Sequence, residues 1–377
     1  MAQPEAPRTL NRSDLVILVG GAAAIVVAGI TRYAHAGAVL AFACSAVAVA
    51  LLAALVGRSV EQMGDRFGAG ATGVLQSALG NLPELFIAFF ALRAGLLVVV
   101  QSAIIGSMLA NLLLVLGLAF VTGGLRHGTQ RFEKSRARDT CVLLALATAA
   151  LVLPSMAQST HSPASDHIRV LSDIAAVVLL IIFALSLPAS LRRRRATADG
   201  TTSDGSASDG SASDGSAGNA HTEAPRWPLA MAVGLLAAAG LLSALVSDWF
   251  VNALQPAINS LHMSQAFAGL VVVAIAGNAI ENVVGIQLAW RNQADYALSV
   301  IINSPLQIAL VLAPALVLLS LFTATTLTLV FVPMLVAAVV VTVLIVSLIV
   351  FDGESNWLEG ATLIGLYVII AAVFWWG

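Results

Sequence analysis

The sequence predicts an all-α polytopic membrane protein of about eleven transmembrane helices: one N-terminal helix, then two inverted five-helix repeats. Three observations lead there. Hydrophobic residues make up 59% of the 377 and charged residues only 10%, where soluble domains carry about 25% charged. Apolar runs near the ~20 residues needed to cross a hydrocarbon core recur along the whole chain. One short motif occurs twice, on runs whose order in the chain gives them opposite directions across a bilayer.

The apolar runs lie at about 15–31, 37–57, 71–93, 97–122, 139–158, 168–190, 228–249, 265–290, 295–320, 326–350 and 357–376. Arg8 and Arg12 before the first run and Ala34-His35-Ala36 after it resemble a secretory leader. That run is long for a leader, and it is read as a retained helix. The chain then divides into an N-terminal segment with the first helix (1–36), a first five-helix repeat (37–191), a linker (192–226) and a second five-helix repeat (227–377).

Basic residues set the expected orientation. With the N-terminus in the cytoplasm, the inner loops hold Arg58, Arg66, Arg126, Arg131, Lys134, Arg136, Arg138, Arg192 to Arg195, Arg226 and Arg291. The outer side keeps Arg32, Arg93 and Arg169. The C-terminus is then expected outside. The linker opens on four arginines, which suit an anchor beside anionic lipid. It continues as a Ser-Asp-Gly-Ser-Ala repeat with Asp204, Asp209 and Asp214. Gly and Ser at that density cannot bury apolar surface, so a disordered tether is expected rather than a preorganised calcium cage. Cys44 and Cys141 read as two separate thiols. A net charge of −2 offers nothing to nucleic acid, and the expected surroundings are lipid. A homo-oligomer is left open.

The repeated motif carries the chemistry. It reads Gly80-Asn81-Leu82-Pro83-Glu84 in the first copy and Gly277-Asn278-Ala279-Ile280-Glu281 in the second, 197 positions later. An ionisable residue within a membrane span is costly and is by default a functional site. Asn81 and Glu84 share a helix face, as do Asn278 and Glu281. Gly80 and Gly277 are expected to loosen each helix just before its carboxylate, with Pro83 adding to this in the first copy. Each glutamate precedes a serine by 23 residues, Ser107 and Ser304. Asn111 accompanies the first serine; Asn303 and Gln307 accompany the second.

These are hard oxygen donors, which suit calcium, sodium or manganese rather than zinc or copper. Two carboxylates neutralise one divalent ion. Without it their mutual repulsion raises both pKa values, so protons replace the metal and the two titrations belong to the pair. Glu84 and Glu281 thus form a pair that can exchange one divalent cation against protons, with side-chain amides, hydroxyls and freed carbonyls as further candidate donors. No cofactor is expected beyond the transported ions, Ca2+ or a related cation and H+.

Both motifs and the helices after them resemble the calcium/proton exchangers of the cation/calcium antiporter superfamily. The first repeat is carried by Gly80-Asn81-x-x-Glu84, Val99-Val100-Gln101-Ser102 and the run from Gly106-Ser107 through Asn111 to Leu114. The second is carried by Gly277-Asn278-x-x-Glu281 and by Asn303-Ser304-Pro305-Leu306-Gln307. The resemblance implies a secondary active antiporter, not an enzyme, exporting Ca2+ against H+ by alternating access. It also implies that Glu84 and Glu281 are the alternating cation and proton ligands, that Asn81, Asn278, Ser107 and Ser304 line the site, and that Gln101 and Gln307 hydrogen-bond a glutamate in the proton-loaded state. Compact loops without organellar targeting features lead to the expectation of a prokaryotic plasma membrane. Asn303 and Pro305 depart from the family's usual second copy. Pro83 is reminiscent of sodium/calcium exchangers, so a sodium-coupled exchanger (Na+/H+ or Na+/Ca2+) using the same site is the alternative.

Overall fold

The computed structural model describes residues 11–34, 36–67, 79–200 and 227–376; the side chains of residues 12, 64–67, 136, 187–200, 280 and 281 lie outside the description. Among the described residues, apart from a short 3-10 turn at Pro163–His167, twelve helices follow one another: α1 (Arg12–Tyr33), α2 (Ala38–Phe67), α3 (Leu82–Arg93), α4 (Leu97–His127), α5 (Lys134–Ser159), α6 (Ile168–Gly200), α7 (Leu229–Leu261), α8 (Gln265–Gly277), α9 (Ala279–Trp290), α10 (Ala294–Ser320), α11 (Pro333–Phe351) and α12 (Trp357–Trp375). Two short strands, β1 (Gln130–Arg131) and β2 (Glu354–Ser355), pair antiparallel between α4 and α5 and between α11 and α12. Among the described residues nine helices are long and apolar enough to span a membrane, or ten if α8 and α9, inclined at 62°, form one broken span. The third expected span, 71–93, is represented by α3, and residues 68–78 lie outside the described residues.

Lipid-facing and buried helices separate as the composition requires. The most apolar stretch of α4 is 83% buried and that of α10 is 67% buried, against 17% for α6 and 22% for α1, α7 and α12. A helix apolar on every side belongs either in a protein interior or in lipid, and here α4 and α10 occupy the interior. Glycine lets their neighbours approach. At the α4–α8 crossing a Cβ on Gly106 would fall on the backbone of Leu270, and one on Gly269 would meet the Val99 carbonyl. At the α4–α12 crossing a Cβ on Gly117 would lie 2.7 Å from the Gly360 carbonyl oxygen. Backbone-to-backbone contact of this kind is how membrane helices gain packing without a hydrophobic driving force between them.

Both α4 and α10 carry a π-helical turn, at Ala110–Val115 and Ile308–Leu312. These turns sit almost at the 197-residue offset that relates the two motifs. One end of the bundle is closed by polar contacts between the halves. Arg126 lies 4.3 Å over the Trp290 ring, His127 Nε2 is 3.0 Å from the Trp290 carbonyl oxygen, and the Glu133 amide donates to Asp295.

Two boundaries differ from expectation. Helix α6 continues through Arg192 to Gly200, past the point where the linker was expected to begin, because Leu, Ala and Arg are good helix formers. Asp204, Asp209 and Asp214 lie outside the described residues. The tenth span starts at Pro333 rather than near 326. Residues 326–332, free of glycine and rich in β-branched side chains, form a stretch without helix or strand instead, with a bend at Leu329. Cys44 and Cys141 are both free.

Candidate functional site

The two motif copies adopt the same backbone. Asn81 caps α3 with φ −94° and ψ 16°, and Asn278 caps α9 with φ −94° and ψ 14°. In each, the asparagine carbonyl accepts from the amide four residues on, Leu85 at 2.9 Å and Asn282 at 3.1 Å. The helix is thus interrupted at the asparagine and restarts immediately after it. Pro83 falls in the first turn of α3, where its missing N–H has no partner to lose. Each glutamate follows its asparagine by three residues, within the first turn of the new helix.

Asn278 joins three elements. Its Nδ2 donates to Ser107 Oγ on α4 at 3.0 Å and to the Ala274 carbonyl at 3.0 Å. Its Oδ1 accepts from Asn111 Nδ2 on α4 and from Ser304 Oγ on α10, both at 3.2 Å. Asn111 Nδ2 also donates to the Ser107 carbonyl at 2.9 Å. Asn278, Ser107, Ser304 and Asn111 are all buried, and a buried polar group has to be paired in this way. The network crosses between the halves, since Ser107 and Asn111 come from the first repeat and Asn278 and Ser304 from the second.

Glu84 is buried on α3 at 8% exposure and lies against the second motif. A Cβ placed on Gly277 would stand 2.7 Å from Glu84 Cγ and 3.0 Å from its Oε1. Gly277 does not have a positive φ, so glycine is needed here for clearance rather than for backbone freedom. Beside the carboxylate is a cavity of about 20 Å³ lined by Glu84, Ala103, Ile104, Ser107, Val273 and Leu316, among others. That is room for one water-sized occupant. Ser107 serves both the cavity and the Asn278 network. Asn81 is buried too, and its Nδ2 has no hydrogen-bond partner among the described residues.

The other candidates are placed less centrally. Glu281 lies in α9, one turn past Asn278, and its side chain is outside the description. Gln101 is buried on α4, but its Nε2 donates to the Val330 carbonyl at 2.7 Å and to the Thr328 carbonyl at 3.4 Å, so in this conformation it holds residues 326–332 and not a glutamate. Gln307 is half-buried and outside the Asn278 network. Asn303 is exposed, whereas its counterpart Gly106 sits in the tight α4–α8 crossing. Gly80 lies in the turn before α3. Two further polar residues carry buried oxygens: Ser102, which the sequence marks only as part of the first repeat's run, and Asn282, which it does not mark; their Oγ and Oδ1 have no hydrogen-bond partner among the described residues. Asn282 directly follows Glu281, where the first copy has Leu85, and that polar-for-apolar difference was readable.

A sequence built of two such copies matches the sodium/calcium exchanger protein family over residues 37–192 and 231–376. The chain belongs to this family. It is 33% identical over 345 residues to a Ca2+/H+ antiporter of Aphanothece halophytica, covering 91% of this chain and 92% of that one. It is 32% identical over 366 residues to the Ca2+/H+ antiporter ChaA of Bacillus subtilis, covering 97% and 99%. Among solved structures, native YfkE matches with a TM-score of 0.78 and 31% identity, over 95% of this chain and 99% of that chain. The H+/Ca2+ exchanger CAX shares the fold, with a TM-score of 0.70 at 16% identity. The protein is therefore a polytopic integral membrane protein of the calcium/proton exchanger kind.

Proposed function

We propose that the protein exports Ca2+ in exchange for H+, using Glu84 and Glu281 as alternating cation and proton ligands. The observation that carries this reading is the meeting of the two motif copies: Glu84 rests on Gly277, and Asn278 binds Ser107, Asn111 and Ser304 from both halves. A site shared between inverted halves is where secondary transporters bind their substrates. Asn81, Asn278, Ser107 and Ser304 supply neutral oxygens around the ion. Gln101 and Gln307 support the glutamates once these are protonated, and Gly80 and Asn303 frame the two copies.

Loading Ca2+ requires both carboxylates ionised, and two unshielded negative charges at low dielectric are unfavourable. Protons therefore enter as the cation leaves, and the empty, doubly ionised site is the state that both ions avoid. Exchange rather than leak follows from that avoidance. The relatives' names favour Ca2+ and H+ as the transported pair. Bacterial relatives favour a plasma membrane, and the distribution of Lys and Arg favours a cytoplasmic N-terminus with the C-terminus outside.

The test is Ca2+ uptake into proteoliposomes under an imposed pH gradient, with Na+ and Mn2+ as competitors. Wild type is expected to take up Ca2+ only while the gradient lasts, and Glu84→Gln or Glu281→Gln to reduce uptake at least 100-fold. Ca2+ uptake driven by a sodium gradient and indifferent to pH would instead establish Na+/Ca2+ exchange, and sodium flux coupled to protons without Ca2+ uptake would establish Na+/H+ exchange.

A further inference from the structure

We propose that residues 326–332 form a strap that shuts one end of the ion pathway, latched by Gln101, Ser155 and Ser172, and that transport requires its release; this rests on the antiport reading above. The strap joins α10 to α11 and lacks secondary structure of its own. Leu327, Leu329 and Phe331 are buried at 3%, 0% and 3% exposure, alternating with half-buried Thr328 and Val330. Irregular backbone in a membrane protein must find its hydrogen-bond partners within the protein. Here they come from side chains of the opposite half. Ser155 Oγ on α5 donates to the Leu329 carbonyl at 3.0 Å and accepts from the Phe331 amide at 2.8 Å. Ser172 Oγ on α6 accepts from the Leu329 amide at 3.0 Å. Gln101 on α4 donates to Val330. Ser320, from the strap's own half, accepts from the Leu327 amide at 2.9 Å. Each of these is a single polar contact that can be exchanged for water.

The strap stands next to the site. Gln101 precedes Ala103 and Ile104, which line the cavity beside Glu84, and Ser320 lies one turn beyond Leu316, which lines it from α10. It also has a twin. Residues 128–133 occupy the same place in the first repeat, between α4 and α5, and at the 197-residue offset Gln130 and Phe132 correspond to Leu327 and Leu329. Gln130 and Phe132 are likewise buried, at 2% and 7%, and alternate with the exposed Arg131 and Glu133. This twin is held by the opposite half as well: β1 pairs with β2, and the Phe132 amide donates to the Gly353 carbonyl at 3.0 Å. Each half thus extends a strap that the other half fastens, one at each end of the bundle. Opening one end while the other stays shut is the requirement of alternating access, and two straps fastened independently meet it.

The experiment uses the full chain with Cys44→Ala and Cys141→Ala, to which Ser155→Cys and Val330→Cys are added and joined by a short bifunctional thiol reagent with a reducible bond. Ca2+ uptake is expected to fall at least tenfold on cross-linking and to return on reduction. Fully cross-linked protein that transports within twofold of the reduced form would overturn the proposal. A second variant, Leu329→Cys alone, is probed with a membrane-impermeant maleimide. Labelling at least fivefold faster during Ca2+/H+ turnover than without ions is expected, and labelling unchanged by turnover would overturn it. Loss of pH-driven uptake in the reduced parent would remove the exchange reading instead. Leu329→Cys would then decide on the strap by whether a change of pH or Ca2+ alters its labelling.

Discussion

Gly277 has no side chain, and that gap is filled by Glu84 of the other motif copy. A methyl group there would sit 2.7 Å from Glu84 Cγ, closer than any van der Waals contact, so the carboxylate has to move. Gly277→Ala is expected to reduce Ca2+ uptake more than tenfold while leaving the protein folded by thermal melting. Asn278→Ala acts differently, by taking partners from Ser107, Asn111 and Ser304 at once. Polar contacts between membrane helices are worth about 0.6 kcal/mol each on average, so three amount to roughly 1–2 kcal/mol. Since ~1.4 kcal/mol is tenfold in affinity, half-saturation for Ca2+ is expected to rise about five- to thirtyfold, measured from the concentration dependence of uptake. At this scale the motifs were legible from the chain alone, because a glutamate in an apolar span and its repetition are local facts. The Glu84–Gly277 contact was not, since it depends on how two segments 193 positions apart are brought together. Gln101 shows the same limit: its residue type announces a hydrogen bond, and only the fold names Val330 as the acceptor.

Among the elements, α4 and α8 test whether close crossing or helix propensity governs stability. A Cβ at Gly106 would fall on the Leu270 backbone, whereas one at Gly240 in α7 meets nothing within 4 Å. Gly106→Ala is expected to force the helices apart and lower the melting temperature of detergent-solubilised protein by at least 5 °C. Gly240→Ala is expected to leave it unchanged or raise it slightly, since alanine exceeds glycine in helix propensity by about 1 kcal/mol. Equal effects at the two positions would disprove the crossing account. Apolar runs located most helices, because a span of lipid needs ~20 residues whatever its neighbours. They misplaced the start of α11 for a physical reason. Thr326-Leu327-Thr328-Leu329-Val330-Phe331-Val332 is as hydrophobic as a helix, but its alternating burial follows a period of two. Average hydropathy does not see that period. The β-branched and aromatic content of the stretch, closed by Pro333, was the available signal.

Across the whole molecule, inverted halves place equivalent residues at opposite ends. Thr129 and Thr326 are related by the 197-residue offset and are both exposed. With each replaced in turn by cysteine, an impermeant thiol reagent is expected to label Thr129→Cys from the cytoplasmic side and Thr326→Cys from the outside. Labelling of both from one side would remove the inverted arrangement. The same symmetry has a consequence for pH. If one proton-accepting carboxylate pair serves both faces, acidifying the side from which Ca2+ loads is expected to raise the Ca2+ concentration needed for half-maximal transport, and acidifying the opposite side to speed turnover. All of this depends on Glu84 and Glu281 acting on one ion. The most direct measurement is Ca2+ binding to the purified protein, followed by calorimetry in weakly buffered solution with proton release recorded in parallel. One Ca2+ per chain is expected, with protons released on binding, and both signals are expected to vanish in Glu84→Gln and in Glu281→Gln. Unaltered affinity and proton release in either variant would refute the shared site.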